Sequence, residues 1–202
     1  MKFFIIGMHA SGKHEIARQL ENLGMKYGKC FSSVPNVNNV ENLYAKGEFE
    51  QYNIMDISEV FENNAYIFIQ EQPDNILNVS AHKYFEGLSK YTYDTNDVFV
   101  LSPDQFMSIA LSNIPQDAVY IWLDNTKTNR QNKYKMEKRE YIFNEREYIE
   151  KKDIKDFVKS LYNIANGKLL YFTNEDPGRV SAIIYSMYKH DDLINTYIEK
   201  FN

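Results

Sequence analysis

Two glycines and a lysine near the start of the chain have the types and spacing to do chemistry. Gly7-Met8-His9-Ala10-Ser11-Gly12-Lys13 fits the pattern G-x-x-x-x-G-K. Such a loop can turn its backbone N–H groups onto phosphate oxygens, helped by the positive end of the helix that follows. Lys13 would reach the β- and γ-phosphates of ATP and neutralise charge as a phosphoryl group moves. His9, Ala10, Ser11, His14 and Glu15 complete the candidate ATP contacts around the two glycines. The plainer alternative is a glycine turn that happens to precede a lysine.

One position departs from the pattern. The residue after the lysine is normally Ser or Thr, whose hydroxyl binds Mg²⁺; here it is His14. Imidazole is a poor ligand for a hard cation that prefers oxygen. Three alternatives follow: the metal is held through waters and acidic residues, another hydroxyl such as Ser11 helps, or catalysis is weakened.

A loop of this kind needs a strand before it and a helix after it. Phe3–Ile6 reads as a buried strand, and Ile16, Ala17, Leu20 and Leu23 recur at helical spacing until Gly24 ends the helix. Further on, short apolar runs alternate with helical patterns, which predicts an α/β fold with a parallel sheet. A second strand is expected near Lys29–Val34, a loop at Pro35–Asn42, a helix over Ile54–Asn63, a strand at Tyr66–Gln70 and a turn at Pro73–Asn78. Val98–Leu101, Ala118–Leu123 and Leu169–Phe172 read as buried strands. Helices are expected at Asp104–Leu111, from about Arg179 to Lys189 and over Asp192–Phe201. Residues 126–165 are highly charged and favour helix.

Composition narrows the classes. The chain of 202 residues is 44% hydrophobic and 25% charged, which fits one compact domain with a sizeable core. Twenty-three Lys plus Arg against 28 Asp plus Glu give a net charge of -5, which argues against a general nucleic-acid coat but not against a local basic patch. The single cysteine, Cys30, excludes an intramolecular disulfide framework. His9, His14, His82 and His190 show no metal-ligand spacing. No apolar run approaches the roughly 20 residues of a membrane span, and the short apolar start meets charge too soon for a signal peptide. A cytoplasmic protein is expected; abundant Asn, Lys, Ile and Tyr fit an AT-rich coding genome, and for a viral one the compartment is the host cytoplasm.

Taken in chain order, these segments resemble the nucleoside monophosphate kinases, most nearly the guanylate-kinase-like and phage-type deoxynucleotide kinases. Residues 1–24 look like the strand, P-loop and helix of that family. Val98-Phe99-Val100-Leu101-Ser102-Pro103-Asp104-Gln105 stands where the family has its second acidic strand. Ala118–Asp124 leads into an arginine-bearing stretch, and Leu169-Leu170-Tyr171-Phe172-Thr173-Asn174-Glu175-Asp176 resembles the final strand and adenine-side loop. The resemblance implies a three-layer P-loop kinase domain with a core of 1–34, 96–125 and 166–202. It also implies an acceptor-binding insertion at about 35–95 and a helical lid at about 126–165. The implied activity is phosphoryl transfer from ATP, with Mg²⁺, to a nucleoside monophosphate, best a deoxynucleotide. Alternatives are another hydroxyl acceptor, such as a modified DNA base, or a nucleotide-binding protein without turnover. The partners on this reading are nucleotide substrates, with a homodimer left open.

Site residues follow from the same resemblance. Arg130, Arg139 and Arg146 lie in the lid-like stretch, and guanidinium groups suit a clamp on phosphate oxygens in the transition state. The interspersed glutamates offer a plainer role, a solvated helix of ion pairs. Asn174 and Arg179 are candidates for the ATP side. Asp104 is the first candidate for Mg²⁺ or its water shell, with a helix N-cap as its alternative; Glu71 is the runner-up among the acidic residues, for positioning the acceptor, and Asp124 is third. On the acceptor side residues 19–129 contain no arginine, which leaves Ser32, Ser33, Tyr84, Ser89, Lys83, Lys90 and Tyr91. Tyr84–Ser89 resembles the family's monophosphate-gripping turn; an ordinary turn capped by Ser89 is the alternative. Sixteen Tyr and 13 Phe would allow base stacking, although most must serve the core.

Overall fold

The computed structural model describes residues 1–34, 53–62, 65–72, 84–112, 115–136, 143 and 169–201. Five strands form a parallel sheet in the order β2-β7-β1-β8-β9: β1 Lys2–Ile6, β2 Tyr27–Gly28, β7 Val98–Leu101, β8 Ala118–Asp124 and β9 Leu169–Thr173. The fold is α/β, with β1 at the centre of that sheet.

Alternation along each central strand builds two cores. Phe3, Ile5, Val98, Val100, Val119, Ile121 and Leu123 face one side. There they meet Ile16, Ala17 and Leu20 of α1 (Lys13–Asn22), Val180, Ile184 and Met187 of α6 (Pro177–Lys189), and Ile194 of α7 (Asp192–Phe201). The opposite side is aromatic. Phe4, Phe99, Tyr120 and Trp122 pack with Tyr93 of α3 (Lys90–Thr95) and Phe106 and Ile109 of α4 (Pro103–Ser112). Phe4 stacks on Tyr120 at 5.6 Å and leans on Phe99 at 5.1 Å. Burying each such side chain contributes about 1.5–3 kcal/mol.

A second, four-stranded sheet of order β4-β3-β6-β5 comprises β3 Phe31–Val34, β4 Asn53–Asp56, β5 Tyr66–Gln72 and β6 Tyr84–Ser89. The strand expected near Lys29–Val34 is β3, in the small sheet; the short β2 before it, in the large sheet, lies outside the expected range. The helix expected over Ile54–Asn63 begins as strand β4, paired parallel with β3, before α2 (Ile57–Glu62). Tyr84–Ser89 is a strand rather than a turn, held antiparallel by β3 and β5. In each case long-range pairing outweighs local propensity. The other expected strands and helices within the described residues are present. Pro35–Asn42, Pro73–Asn78 and most of 137–168 lie outside them.

Helix ends follow their sequences. Gly24 closes α1: its N–H bonds to Glu21 O at 2.9 Å and Met25 N to Leu20 O at 3.0 Å, a Schellman ending. Ser102 and Gln105 form a capping box on α4, with Gln105 N donating to Ser102 Oγ at 3.2 Å and Ser102 N to Gln105 Oε1 at 2.9 Å. The cap is therefore Ser102, not Asp104. Among the described residues no helix is long and apolar enough to cross a membrane.

Candidate nucleotide site

The glycine-bracketed loop leaves the end of β1 and enters α1 within six residues, which forces unusual backbone. Gly12 has φ 95°, and a Cβ there would lie 2.1 Å from Asn174 Nδ2. A Cβ on Gly7 would come within 2.3 Å of the Leu123 carbonyl and 2.9 Å of Ser11 Oγ. Both positions therefore require glycine. Ala10 takes a left-handed φ of 59° without being glycine, a strain of about 1–2 kcal/mol. Gly12 caps α1 with no side-chain hydrogen bond, so N–H groups of the first turn remain for an anion.

The side chains around the loop are buried and polar. Lys13 is 7% exposed, and its Nζ donates to the carbonyls of Gly7 at 2.6 Å and Met8 at 2.7 Å. Its charge is thus carried back over the loop that it follows. Ser11 Oγ and Asn174 Oδ1 are buried with no hydrogen-bond partner among the described residues. Buried polar atoms are rarely left so; the Ser11 hydroxyl can donate to a phosphate oxygen, whereas Asn174 Oδ1 only accepts and would meet a donor on a ligand. The residues present fit the phosphates of a nucleotide.

Asn174 is placed by β9 and acts on the loop directly. Its Nδ2 donates to the Ser11 carbonyl at 2.7 Å, and its backbone N–H donates to the Asp124 carbonyl at 2.8 Å. One residue thereby ties the end of β8 to the peptide between Ser11 and Gly12. Asp124 is itself engaged: it accepts from Tyr171 Oη at 2.6 Å and from Asn125 N at 2.8 Å. The Tyr171 hydroxyl is pushed up to about 12, first by burial and then by the Asp124 carboxylate.

His14 does not occupy the role of a metal-binding hydroxyl. Its Nδ1 shares a hydrogen bond of 2.8 Å with Tyr27 Oη. Burial, then the charges of Lys13, Arg18, Lys133 and Lys29, lower its pKa from 6.5 to about 3. The imidazole is neutral at physiological pH. Asp104 lies exposed in the first turn of α4, and Glu15 is exposed on α1. Among the described residues no three His, Cys, Asp or Glu side chains gather to hold a metal ion. Beside phosphates Mg²⁺ needs only one or two carboxylates and waters, and Asp104 and Glu15 are the exposed carboxylates that could supply them.

Helix α5 (Lys127–Met136) meets the loop through Tyr134. The Tyr134 ring sits 5.0 Å from that of His9, and Tyr134 meets Phe143 edge-on at 5.1 Å. Arg130 is 4% exposed and donates from Nη1 to the Asn125 carbonyl at the base of its own helix. Arg139 and Arg146 lie outside the described residues. Arg179 is exposed; its backbone N–H is capped by Asp176 Oδ1 at 3.1 Å.

The small sheet holds the remaining candidates. Ser32 and Ser33 are buried in β3; Ser33 Oγ accepts from Phe85 N at 2.7 Å, and Ser32 pairs in register with Glu86. Glu71 is exposed on β5. Tyr84 opens β6, with its side chain outside the described set. Ser89 caps α3, accepting from Thr92 N at 3.1 Å, so its hydroxyl serves the fold in the way of the plainer alternative. Lys90 is engaged with Asp94 one helical turn on, at 3.3 Å, and Lys83 lies outside the described residues.

Sequence reasoning missed Glu86 and Gln105, joined at 2.8 Å between the small sheet and α4, and the Tyr27 partner of His14. The S-x-x-Q spacing at Ser102 was a readable signal for Gln105; no local signal places Tyr27 against His14.

No family model matches the chain, and no curated protein matches it in sequence. In three dimensions it is similar to the guanylate kinase from Anaplasma phagocytophilum, at 12% sequence identity over 95% of this chain and 85% of that one, with a TM-score of 0.53. What the two share at that identity is the fold.

Proposed function

We propose that the chain is a nucleotide kinase that transfers the γ-phosphoryl of ATP to a nucleoside monophosphate, best a deoxynucleotide. The observation that carries this reading is Lys13, buried at the mouth of a glycine-bracketed loop on the central strand of a parallel sheet. A phosphate oxygen of the acceptor forms a new bond to the γ-phosphorus as the bond to the β–γ bridging oxygen breaks. The electron pair leaves with ADP. The loop N–H groups and Ser11 Oγ hold the donor phosphates, and Lys13 offsets charge that spreads over the transferred group. Arg130, Arg139 and Arg146 are proposed to close on the same oxygens from the lid side. Ser32, Ser33, Glu71 and Tyr84 are proposed to border the acceptor.

A second reading, nucleotide binding without turnover, is favoured by the neutral His14 held by Tyr27 where a hydroxyl would assist a metal. The test is coupled turnover with Mg-ATP against each common ribo- and deoxyribonucleoside monophosphate, with Lys13→Ala as control. Diphosphate formed from one monophosphate and lost in the control supports the kinase. Tight ATP binding with no acceptor-dependent turnover overturns it and leaves the second reading.

A further inference from the structure

We infer that Lys29 and Lys133 join Lys13 in a three-lysine site for the phosphoryl oxygens of a nucleotide, an assignment that rests on the nucleotide-kinase reading. The three come from separate elements that the fold brings to one place. Lys13 ends the phosphate loop. Lys29 follows Gly28 of β2, which pairs with Phe99, and the next residue, Cys30, reaches the Val100 carbonyl through Sγ at 3.7 Å. That contact brings the β2–β3 connection alongside the end of β7, level with the start of the loop, since Ile6 pairs with Leu101. Lys133 precedes Tyr134, whose ring touches His9 of the loop.

His14 lies among them, and the charges of Lys13, Lys133 and Lys29 bear on its ring together with that of Arg18, which is exposed on α1. Lys29 and Lys133 are each half-buried, and neither makes an ion pair among the described residues. An ammonium drawn out of water without a counter-charge is costly, and an anion relieves that cost. Lys90 is the contrast: exposed, and answered by Asp94 on its own helix. The site also supplies what the sequence lacks, because residues 19–129 hold no arginine for a phosphate. A compact ammonium can serve as a point charge where a guanidinium would serve as a fork.

The test titrates the full chain with inorganic tripolyphosphate by calorimetry, comparing wild type with Lys29→Gln, Lys133→Gln, Lys29→Arg, Lys133→Arg and Lys90→Gln. Melting curves confirm folding. Each Gln variant on the site is expected to weaken binding about tenfold, the Arg variants to stay within about threefold, and Lys90→Gln to change nothing. Steady-state KM then separates the sources: a rise for ATP alone assigns donor phosphates, and a rise for the monophosphate alone assigns the acceptor. Gln variants within twofold of wild type in the titration and in both KM values overturn the site. Turnover with unaffected lysine variants removes the site but keeps the kinase. Tripolyphosphate binding lost in the Gln variants, without turnover in wild type, keeps the site and removes the kinase.

Discussion

The phosphate loop and the small sheet both bury serines, and they use them in opposite ways. Ser11 is fully buried, yet its hydroxyl finds no partner among the described residues; Ser33 is equally buried, and its hydroxyl accepts the Phe85 N–H at 2.7 Å. Ser89 likewise gives its oxygen to the first turn of α3. A folded chain gains little by leaving a polar atom unsatisfied, and losing a partner costs about 1–3 kcal/mol. On the proposed function, polarity in the loop is held for a ligand, while polarity in the small sheet is largely consumed by structure. The two regions also differ in how they are specified. The loop is a run of seven residues; the small sheet depends on strands brought together from far apart in the sequence.

The sharpest way to break this comparison is Lys13→Ala. The change is expected to lower turnover by on the order of 10³-fold and, because the Gly7 and Met8 carbonyls lose their donor, to cost about 1–3 kcal/mol of stability. Coupled assay and calorimetry check it together; a large loss of stability with little loss of rate would make Lys13 structural. Next comes a pair. Asn174→Ala leaves the Ser11 carbonyl without its donor, and Ser33→Ala leaves Phe85 N–H without its acceptor. Each is expected to cost about 1–3 kcal/mol in urea unfolding. Only Asn174→Ala is expected to weaken ATP binding as well, by about tenfold, because it alone frees the loop. Equal ATP affinities in the two variants would erase the distinction.

His14 tests the loop's surroundings through pH. Unfolded, its imidazole takes up a proton below about 6.5; folded, it resists until about 3. Between those values the unfolded state binds more protons, so stability falls as pH drops from 6.5 toward 3. The slope from this residue is at most about 1.4 kcal/mol per pH unit. His14→Gln should flatten that part of the stability curve, measured by urea unfolding at half-unit steps from pH 4 to 7. An unchanged slope would show that the ring is charged in the folded chain. The smallest effect is expected from Ala10→Gly, which relieves the left-handed φ of 59° and should raise stability by about 1 kcal/mol, less the entropy that glycine adds to the unfolded chain.

Legibility in the sequence follows the same division. The strands β1, β7, β8 and β9 are short runs of apolar residues, and α1, α4, α6 and α7 carry their periodicity locally, so each could be read in isolation. The loop could too, because its glycines and lysine are adjacent. Asn53–Asp56 and Tyr84–Ser89 could not, since what makes them strands is a partner elsewhere in the chain. At the site, the sequence offers Asn174 as a candidate for the nucleotide side, but its hold on the Ser11 carbonyl is invisible there. The same is true of Tyr27, whose hydroxyl meets His14 only once β2 is in place. Side chains that act through other residues leave no spacing to read.

The reach of that Asn174 contact has a consequence for the order of assembly. Donor and acceptor are 163 positions apart. Contacts of such separation close late, after shorter loops have formed, because chain entropy opposes them. The loop lies far ahead of β9 in the chain, so it is completed only when β9 docks beside β8. During refolding, the fluorescence of the single tryptophan, Trp122 in the interior of β8, should settle before the capacity to bind nucleotide appears. On the proposed function, nucleotide affinity would then report on a late step of folding, and an intermediate without β9 beside β8 would not bind ATP.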